Sequence, residues 1–197
     1  VQIGNVWSAF DDVFYIGNSV FDAVAFSPAY RVLSVAGYND KPRNAIRYTS
    51  PNFGGFSAAV SHGLDENAAV KRDQTDFNLQ YAAGPLTAAF AYQLQNDAAG
   101  VGLDGKYTYL TAAYDLGVAV VKGGFGNTRN VTAANVKTTD WQIGADFPLS
   151  SALTLSTGYA ASKTKDLDTK SSGYSVGALY ALSKRTSTYA AFTRATD

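Results

Sequence analysis

The chain of 197 residues contains no cysteine and a single histidine. Disulfide scaffolds, thiol catalysis, iron–sulfur clusters and multi-histidine metal centres are therefore excluded. Charge is scarce: Asp, Glu, Lys and Arg make up 16% of the chain, against about a quarter in an ordinary soluble domain. The 16 basic and 16 acidic residues cancel, so the excess positive charge of a nucleic-acid binder is missing. No basic n-region followed by an apolar h-region opens the chain at Val1-Gln2-Ile3-Gly4. No apolar run reaches the ~20 residues of a spanning helix; the longest uncharged stretch, 77–96, is broken by Gln80, Gly84-Pro85, Gln93 and Gln95. No charge run or Pro/Ser-rich linker divides the chain, so 1–197 reads as one domain.

What the chain has is a period of two. Phe77, Leu79 and Tyr81 alternate with Asp76, Asn78 and Gln80. Beyond Gly84-Pro85, Leu86, Ala88, Phe90, Tyr92 and Leu94 alternate with Thr87, Ala89, Ala91, Gln93 and Gln95. The same pattern sets Trp141, Ile143, Ala145 and Phe147 against Asp140, Gln142, Gly144 and Asp146. Such alternation is the signature of a strand with one apolar and one polar face. It predicts about eleven strands, over 1–6, 44–50, 56–62, 75–82, 86–95, 107–115, 118–126, 138–147, 153–163, 173–181 and 186–193. Most are longer than the ~5–6 residues common in globular sheets and match the ~9–11 residues of a tilted strand crossing a bilayer.

The connections alternate too. Short turns (52–55, 84–85, 117, 149–151, 183–185) take turns with longer polar links (63–74, 96–106, 127–137, 164–172). Outer-membrane barrels have this asymmetry, with short periplasmic turns and longer external loops. Tyr81, Tyr92, Tyr114, Trp141, Phe147, Tyr159, Tyr174 and Tyr180 fall near strand ends, where interfacial girdles lie in such barrels. An all-β antiparallel transmembrane barrel is the reading favoured over a soluble sandwich. The exception is the stretch 6–43, which alternates poorly but carries Trp7, Phe10, Phe14, Tyr15, Phe21, Phe26 and Tyr30. A long loop so rich in aromatics is expected to fold against something, such as a barrel interior.

Four stretches carry a family resemblance, the first two the most specific. Asn44-Ala45-Ile46-Arg47-Tyr48-Thr49-Ser50-Pro51-Asn52-Phe53-Gly54-Gly55-Phe56 is similar to the "N-S-[IV]-R-Y-x-S-P-x-F-x-G" stretch of the trimeric general porins of the β-proteobacterial type. Tyr180-Ala181-Leu182-Ser183-Lys184-Arg185-Thr186 resembles their "Y-x-L-S-K-R-T" turn, and Gly84-Pro85-Leu86 their "N-G-P-L" hairpin. The opening Val1-Gln2-Ile3-Gly4 resembles the strand before their inward-folded third loop, with Asn5 where the family usually has Arg. A barrel of that type has about sixteen strands and a C-terminal aromatic, whereas this chain ends at Asp197. Roughly four strands before Val1 and one at the end are expected to be missing, because open sheet edges are not tolerated in lipid. The alternative is several chains sharing one barrel.

The resemblance implies a homotrimeric outer-membrane diffusion channel for ions and small hydrophilic solutes. It would be surrounded by outer-membrane lipid and lipopolysaccharide, with no cofactor and no nucleic acid. It also implies that 7–42 folds into the lumen as a constriction. The candidate constriction residues are Asp11, Asp12 and Asp22 in that loop, with Asp40 near its exit, and Arg43 and Arg47 beyond it. Arg43, Ala45, Arg47 and Thr49 share one strand parity opposite Ile46 and Tyr48. A lipid-facing arginine at mid-depth would cost ~2–4 kcal/mol, so the arginine face is read as the water side. Arg43 and Asp40 read equally well as rim charges. Lys122 falls on the polar parity of its strand. Weak anion preference is expected.

Two other functions compete with the channel. A soluble lipocalin-like ligand binder would need an apolar lumen, against the many Gln, Thr and Ser of the polar faces. A barrel hydrolase would need His62 beside Ser57 or Ser61, but adjacent Ser61 and His62 point to opposite faces of a strand. The acidic links at Asp65-Glu66 and Asp166–Asp168 lack calcium-loop spacing.

Overall fold

Alternation extends almost unbroken through the sheet. The computed structural model describes residues 1–64, 73–97, 102–131, 135–165 and 167–196. Eleven strands form one antiparallel sheet in strict chain order. They are β1 (Gln2–Gly4), β2 (Ala45–Thr49), β3 (Phe56–Gly63), β4 (Gln74–Ala83), β5 (Leu86–Gln95), β6 (Gly105–Asp115), β7 (Val120–Arg129), β8 (Lys137–Pro148), β9 (Leu153–Thr164), β10 (Thr169–Ser183) and β11 (Thr186–Thr196). β1 and β11 are the sheet's two edges and do not pair with each other.

Local chemistry closes the short turns. In the β2–β3 turn the Asn52 side chain accepts from Gly55 N–H at 2.9 Å, and Gly54 and Gly55 take φ of +61° and +97°, where a side chain would be strained. After β6, Asp115 accepts from Gly117 N–H at 2.7 Å. After β8, the Ser150 hydroxyl accepts from Leu153 N–H at 3.0 Å. Of the acidic links, Asp65, Glu66 and Asp166 lie outside the described residues.

The two faces of the sheet have opposite fates. One, the open face, carries Phe77, Leu79, Leu110, Phe125, Trp141, Ile143, Val176 and Phe192, all exposed; Leu79 is 51% and Ile143 55% accessible. The other carries Asp76, Asn78, Gln93, Asp140, Gln142 and Ser175, all buried. A soluble sandwich or a lipocalin would bury the first set and expose the second. Apolar exposure over so many adjacent strands marks a surface that meets something other than water.

What buries the polar face is the segment between β1 and β2. It folds into α1 (Asp11–Phe14), α2 (Pro28–Val32) and three short 3₁₀ turns, elements too brief to announce themselves by period. Its Phe10, Val13, Phe14, Ile16, Val32, Leu33 and Val35 pack with Ala89, Ala91, Tyr107, Tyr109 and Ala160 of the sheet. Phe14 stacks at 5.2–5.4 Å on Tyr30, Tyr38 and Tyr109. Each such aromatic side chain contributes about 1.5–3 kcal/mol on burial. The hydrophobic core thus comes mainly from the segment, not from the strands' apolar faces.

Two sequence expectations are corrected. β1 ends at Gly4, whose φ of +117° breaks the extended run expected to reach Val6. Arg43 does not share the parity of β2: the strand starts at Ala45, and Asn44 stands at φ +48° between them. Alternation of side chains holds only through extended backbone.

Candidate pore constriction

Arg47 lies on the covered face of β2 and is 8% exposed. Its guanidinium pairs with the Asp12 carboxylate. It also donates to the carbonyls of Trp7 at 3.0 Å and Ser8 at 3.2 Å, and to Thr49 Oγ1 at 3.3 Å. The planar fork of arginine suits this multiple engagement. Asp12 in turn accepts from Asn78 Nδ2 at 3.0 Å. Arg47 is therefore a clamp on the segment's stem, and its charge is matched locally. A polar cavity lined by Asn5, Trp7, Asp11, Asp12, Arg47 and Thr49 opens beside it.

Asp11 and Asp22 have no such clamp. Burial pushes the Asp11 carboxyl above the usual carboxylate range; the Tyr38 hydroxyl, donating to Asp11 Oδ1 at 2.6 Å, pulls the other way, and the nearby charges of Asp40, Asp12 and Asp22 add to the rise. Asp22 is also raised, by burial, against hydrogen bonds from Asn18 and Tyr30 and the charge of Lys122. Tyr30 and Tyr38 are raised too, by burial first and then by these carboxylates, so they remain protonated donors. Arg43 is exposed at the segment's exit and forms no ion pair among the described residues. The structure thus joins Arg47 to Asp12, gathers Asp11 and Asp22 into one acidic neighbourhood, and leaves Arg43 apart.

The anchors of this segment on the sheet were not singled out by sequence reasoning. Asp76 of β4, fully buried, accepts from Ala9 N–H at 2.5 Å, Phe10 N–H at 3.2 Å and Gln74 Nε2 at 2.9 Å, and the Ser61 hydroxyl donates to it as well. Asp140 of β8 accepts from Val35 N–H at 2.6 Å. The Gln93 amide brackets Asn39, accepting from its N–H at 2.9 Å and donating to its carbonyl at 3.0 Å. Tyr107 and Tyr109 reach the segment from β6, Tyr107 donating to Gly37 O at 3.0 Å. Carboxylates on the polar parity of a strand were the available signal; nothing in spacing pairs residue 76 with residue 9.

A further anchor holds a strained turn. Val20, Phe21 and Asp22 have φ of 56°, 62° and 55°, a left-handed conformation that costs side-chain-bearing residues about 1–2 kcal/mol each. Val20 N–H donates to Ser156 Oγ at 2.7 Å, and Ser156 donates to Asp146. Asp146 pairs with Lys122 at 2.6 Å, and Lys122 donates to Asn18 O at 3.1 Å. Asn18 Nδ2 reaches Asp22 Oδ1 at 2.6 Å and closes the ring. Ser19 is seated over Gly144 and Gly158, where any Cβ would collide with it.

The hydrolase geometry does not form. Ser61 faces the covered side and bonds Asp76, while His62 Nδ1 meets Thr75 Oγ1 at 2.8 Å on the other.

Known proteins place this architecture. The Gram-negative porin family model matches residues 1–197. Outer membrane porin protein 32 of Delftia acidovorans is 29% identical over 157 residues, 76% of this chain and 45% of that protein. The solved anion-selective porin from Comamonas acidovorans shares 25% identity and superposes with a TM-score of 0.84, over 99% of this chain and 63% of that one. The trimer form of OmpT from Vibrio cholerae has the same fold at 16% identity, with a TM-score of 0.74 over 98% of this chain and 65% of that one. The chain thus spans under two thirds of the length of each of these relatives. The fold points to a channel rather than an enzyme, and the relatives place it in a bacterial outer membrane. With its whole length matched by that model and its apolar strand faces turned outward, the chain belongs to the Gram-negative porin family.

Proposed function

We propose that these eleven strands are part of the wall of a water-filled general diffusion channel. Further strands beyond the edges β1 and β11 complete the closed barrel. Ions and small hydrophilic solutes pass by diffusion, without a cofactor. The single observation that carries this reading is the division of one sheet into an exposed apolar face and a buried polar face folded over by its own segment. Segment 7–42 narrows the lumen. Asp11 and Asp22 supply its negative charge, Arg47 with Asp12 fixes its stem, and Arg43 stands at its mouth. Weak anion preference follows from the likeness to a protein described as anion-selective, tempered by those acids. Assembly as a homotrimer is favoured by the trimeric neighbour. The apolar face contacts outer-membrane lipid and lipopolysaccharide.

The test is conductance of the purified full-length protein in planar bilayers. Discrete open steps are expected, and their absence contradicts the reading. The sign of the pH response follows from the two raised carboxyls. A carboxyl held above its usual range takes up its proton before a free one does as pH falls. As pH falls toward the usual carboxylate range the lumen therefore loses negative charge earlier than free carboxyls would allow, and chloride preference over potassium rises. Asp11→Asn with Asp22→Asn is expected to give the acid-pH preference at neutral pH and to flatten the titration. Unchanged reversal potentials in that variant would remove both residues from the constriction.

A further inference from the structure

An anion is drawn by a lumen cation whose charge no carboxylate cancels. Two interior cations do not qualify: Arg47 pairs with Asp12, and Lys122 with Asp146. The segment itself carries two more, Arg31 and Lys41. Lys41 sits at the stem, its Nζ 4.8 Å from the centroid of the Trp7 ring. Arg31, in α2, is exposed and forms no ion pair among the described residues. The charges that bear on Asp11 and Asp22 come from Asp12, Asp22, Asp40 and Lys122, not from Arg31. The segment thus keeps this cation apart from its acids. Its place is over the last strands, where Pro28 rests on Gly158 of β9 and Val32 on Gly173 of β10.

Arg31 is also held in one orientation. Its Nε–H and an Nη2–H both donate to the Ala25 carbonyl, at 3.1 and 3.0 Å. Ala25 lies in a turn closed by Phe26 N–H and Ser27 N–H, which donate to Ala23 O at 2.9 and 2.7 Å. A neutral carbonyl orients the guanidinium without cancelling its charge. The edge made by Nη1 and Nη2, two parallel N–H groups, has no partner among the described residues. That edge fits a carboxylate bidentately. The carbonyl that holds the fork belongs to the peptide leading into Phe26, whose ring meets Tyr189 of β11 at 6.1 Å, edge to face. Tyr189 shares the parity of Ala191, opposite Gly177, on which Val20 and Phe21 of the segment rest. Its ring therefore points to the interior, and it is exposed there, as is Val24 beside Ala25. A fixed cationic fork and an apolar, aromatic surface thus stand side by side.

We propose that Arg31, Phe26 and Tyr189 form a lumenal subsite for solutes that carry a carboxylate on an aromatic body, and that Arg31 sets which organic anions the channel retains. The proposal rests on the reading of the chain as a diffusion channel and names a solute class for it. The carboxylate takes the free edge of the fork, and the flat ring lies along Tyr189 and Val24. Chloride uses the charge but not the fork. Acetate uses the fork but not the rings. A donor group already oriented loses little freedom when the solute arrives, which favours binding.

The experiment adds benzoate or acetate to the full-length porin carrying a potassium chloride current in planar bilayers. Benzoate is expected to reduce the wild-type current at concentrations where acetate does not. In Arg31→Gln its half-blocking concentration is expected to rise at least roughly tenfold, as loss of a charge-assisted pair implies. Arg31→Lys keeps the charge and loses the fork, and is expected to lose most of the benzoate block while chloride preference persists. Tyr189→Ala is expected to weaken benzoate and leave acetate as it was. Equal effects of benzoate and acetate on wild type overturn the proposal. So does benzoate block unchanged in Arg31→Gln, which would assign Arg31 to pinning the turn at Ala25. Saturation-transfer NMR of benzoate with the detergent-solubilised protein reads the subsite without any current. A signal is expected from wild type and its loss from Arg31→Gln, and equal signals overturn the subsite. A benzoate signal without channel steps would count against the channel reading alone, and channel steps without one against the subsite alone.

Discussion

Asp76→Ala is expected to loosen the constriction at its stem and to raise single-channel conductance, with flicker between levels. The Asp76 carboxylate is fully buried and receives the N–H groups of Ala9 and Phe10 together with the Ser61 hydroxyl. Removing it leaves Phe10 N–H and Ser61 without that acceptor, while Ala9 N–H retains only Ser61 Oγ at 2.9 Å. A buried donor stripped of its acceptor costs about 1–3 kcal/mol. The variant is therefore expected to lose about 2–6 kcal/mol of stability, read as earlier thermal unfolding in detergent. Asp76→Asn keeps an oxygen in place and is expected to behave nearly as wild type in conductance. Equal conductance in Asp76→Ala and wild type would show that the stem is held elsewhere, by Arg47 and Asn78.

Gly158→Val is expected to close the pore rather than loosen it. A side chain there falls on Ser19, whose Cβ lies 2.8 Å from the new Cβ position, with Pro28 Cγ at 3.3 Å behind it. Gly144 beside it offers no room either, since its own Cβ position is 2.7 Å from the Thr157 carbonyl and 2.5 Å from Ser19 Cβ. The turn from Val20 to Asp22 must rise off the wall, away from its Ser156 acceptor. Overpacking of this kind costs about 1–3 kcal/mol, and the left-handed turn loses the Ser156 hydrogen bond that helps offset its strain. Lower conductance and weaker influence of Asp22→Asn on the reversal potential are expected. Ser19→Gly in the same background should restore much of both. Conductance unchanged by Gly158→Val, or not rescued by Ser19→Gly, would show that this seat does not set the depth of the segment.

The strands were legible because lipid on one side and polar groups on the other impose a strict period of two. For β5 the expected and observed bounds coincide at Leu86–Gln95. β6 is instructive: Tyr107, Tyr109 and Leu110 offer no clear parity, and the structure turns the two tyrosines toward the segment and Leu110 outward. The reason is non-local, since Tyr107 and Tyr109 meet Phe10 and Phe14, residues some ninety-five positions away that the fold brings to the wall. The same holds for the anchors. Asp76, Asp140 and Ser156 could be placed on a polar face, but their acceptors' work depends on which backbone N–H the fold brings to them. The short helices escaped because four or five residues cannot show a helical period. Arg43 misled because one left-handed residue, Asn44, resets the face. Arg47 was correctly placed toward the polar side, yet its engagement by Asp12 and two carbonyls depends on the return of the stem across β2.

The central claim is that the apolar parity of these strands meets hydrocarbon while the polar parity faces the barrel interior, covered in part by the segment and wetted beyond it. Nitroxide labels at Leu79, Leu110 and Ile143, and at Gln80 and Gln95, in the full-length protein reconstituted in bilayers, test it by collision with oxygen and with a water-soluble nickel chelate. The account predicts oxygen-dominated relaxation at the first three positions and chelate-dominated relaxation at the two glutamines. Chelate access at Leu79 and Ile143, with Gln80 and Gln95 shielded in a dry interior, would contradict it.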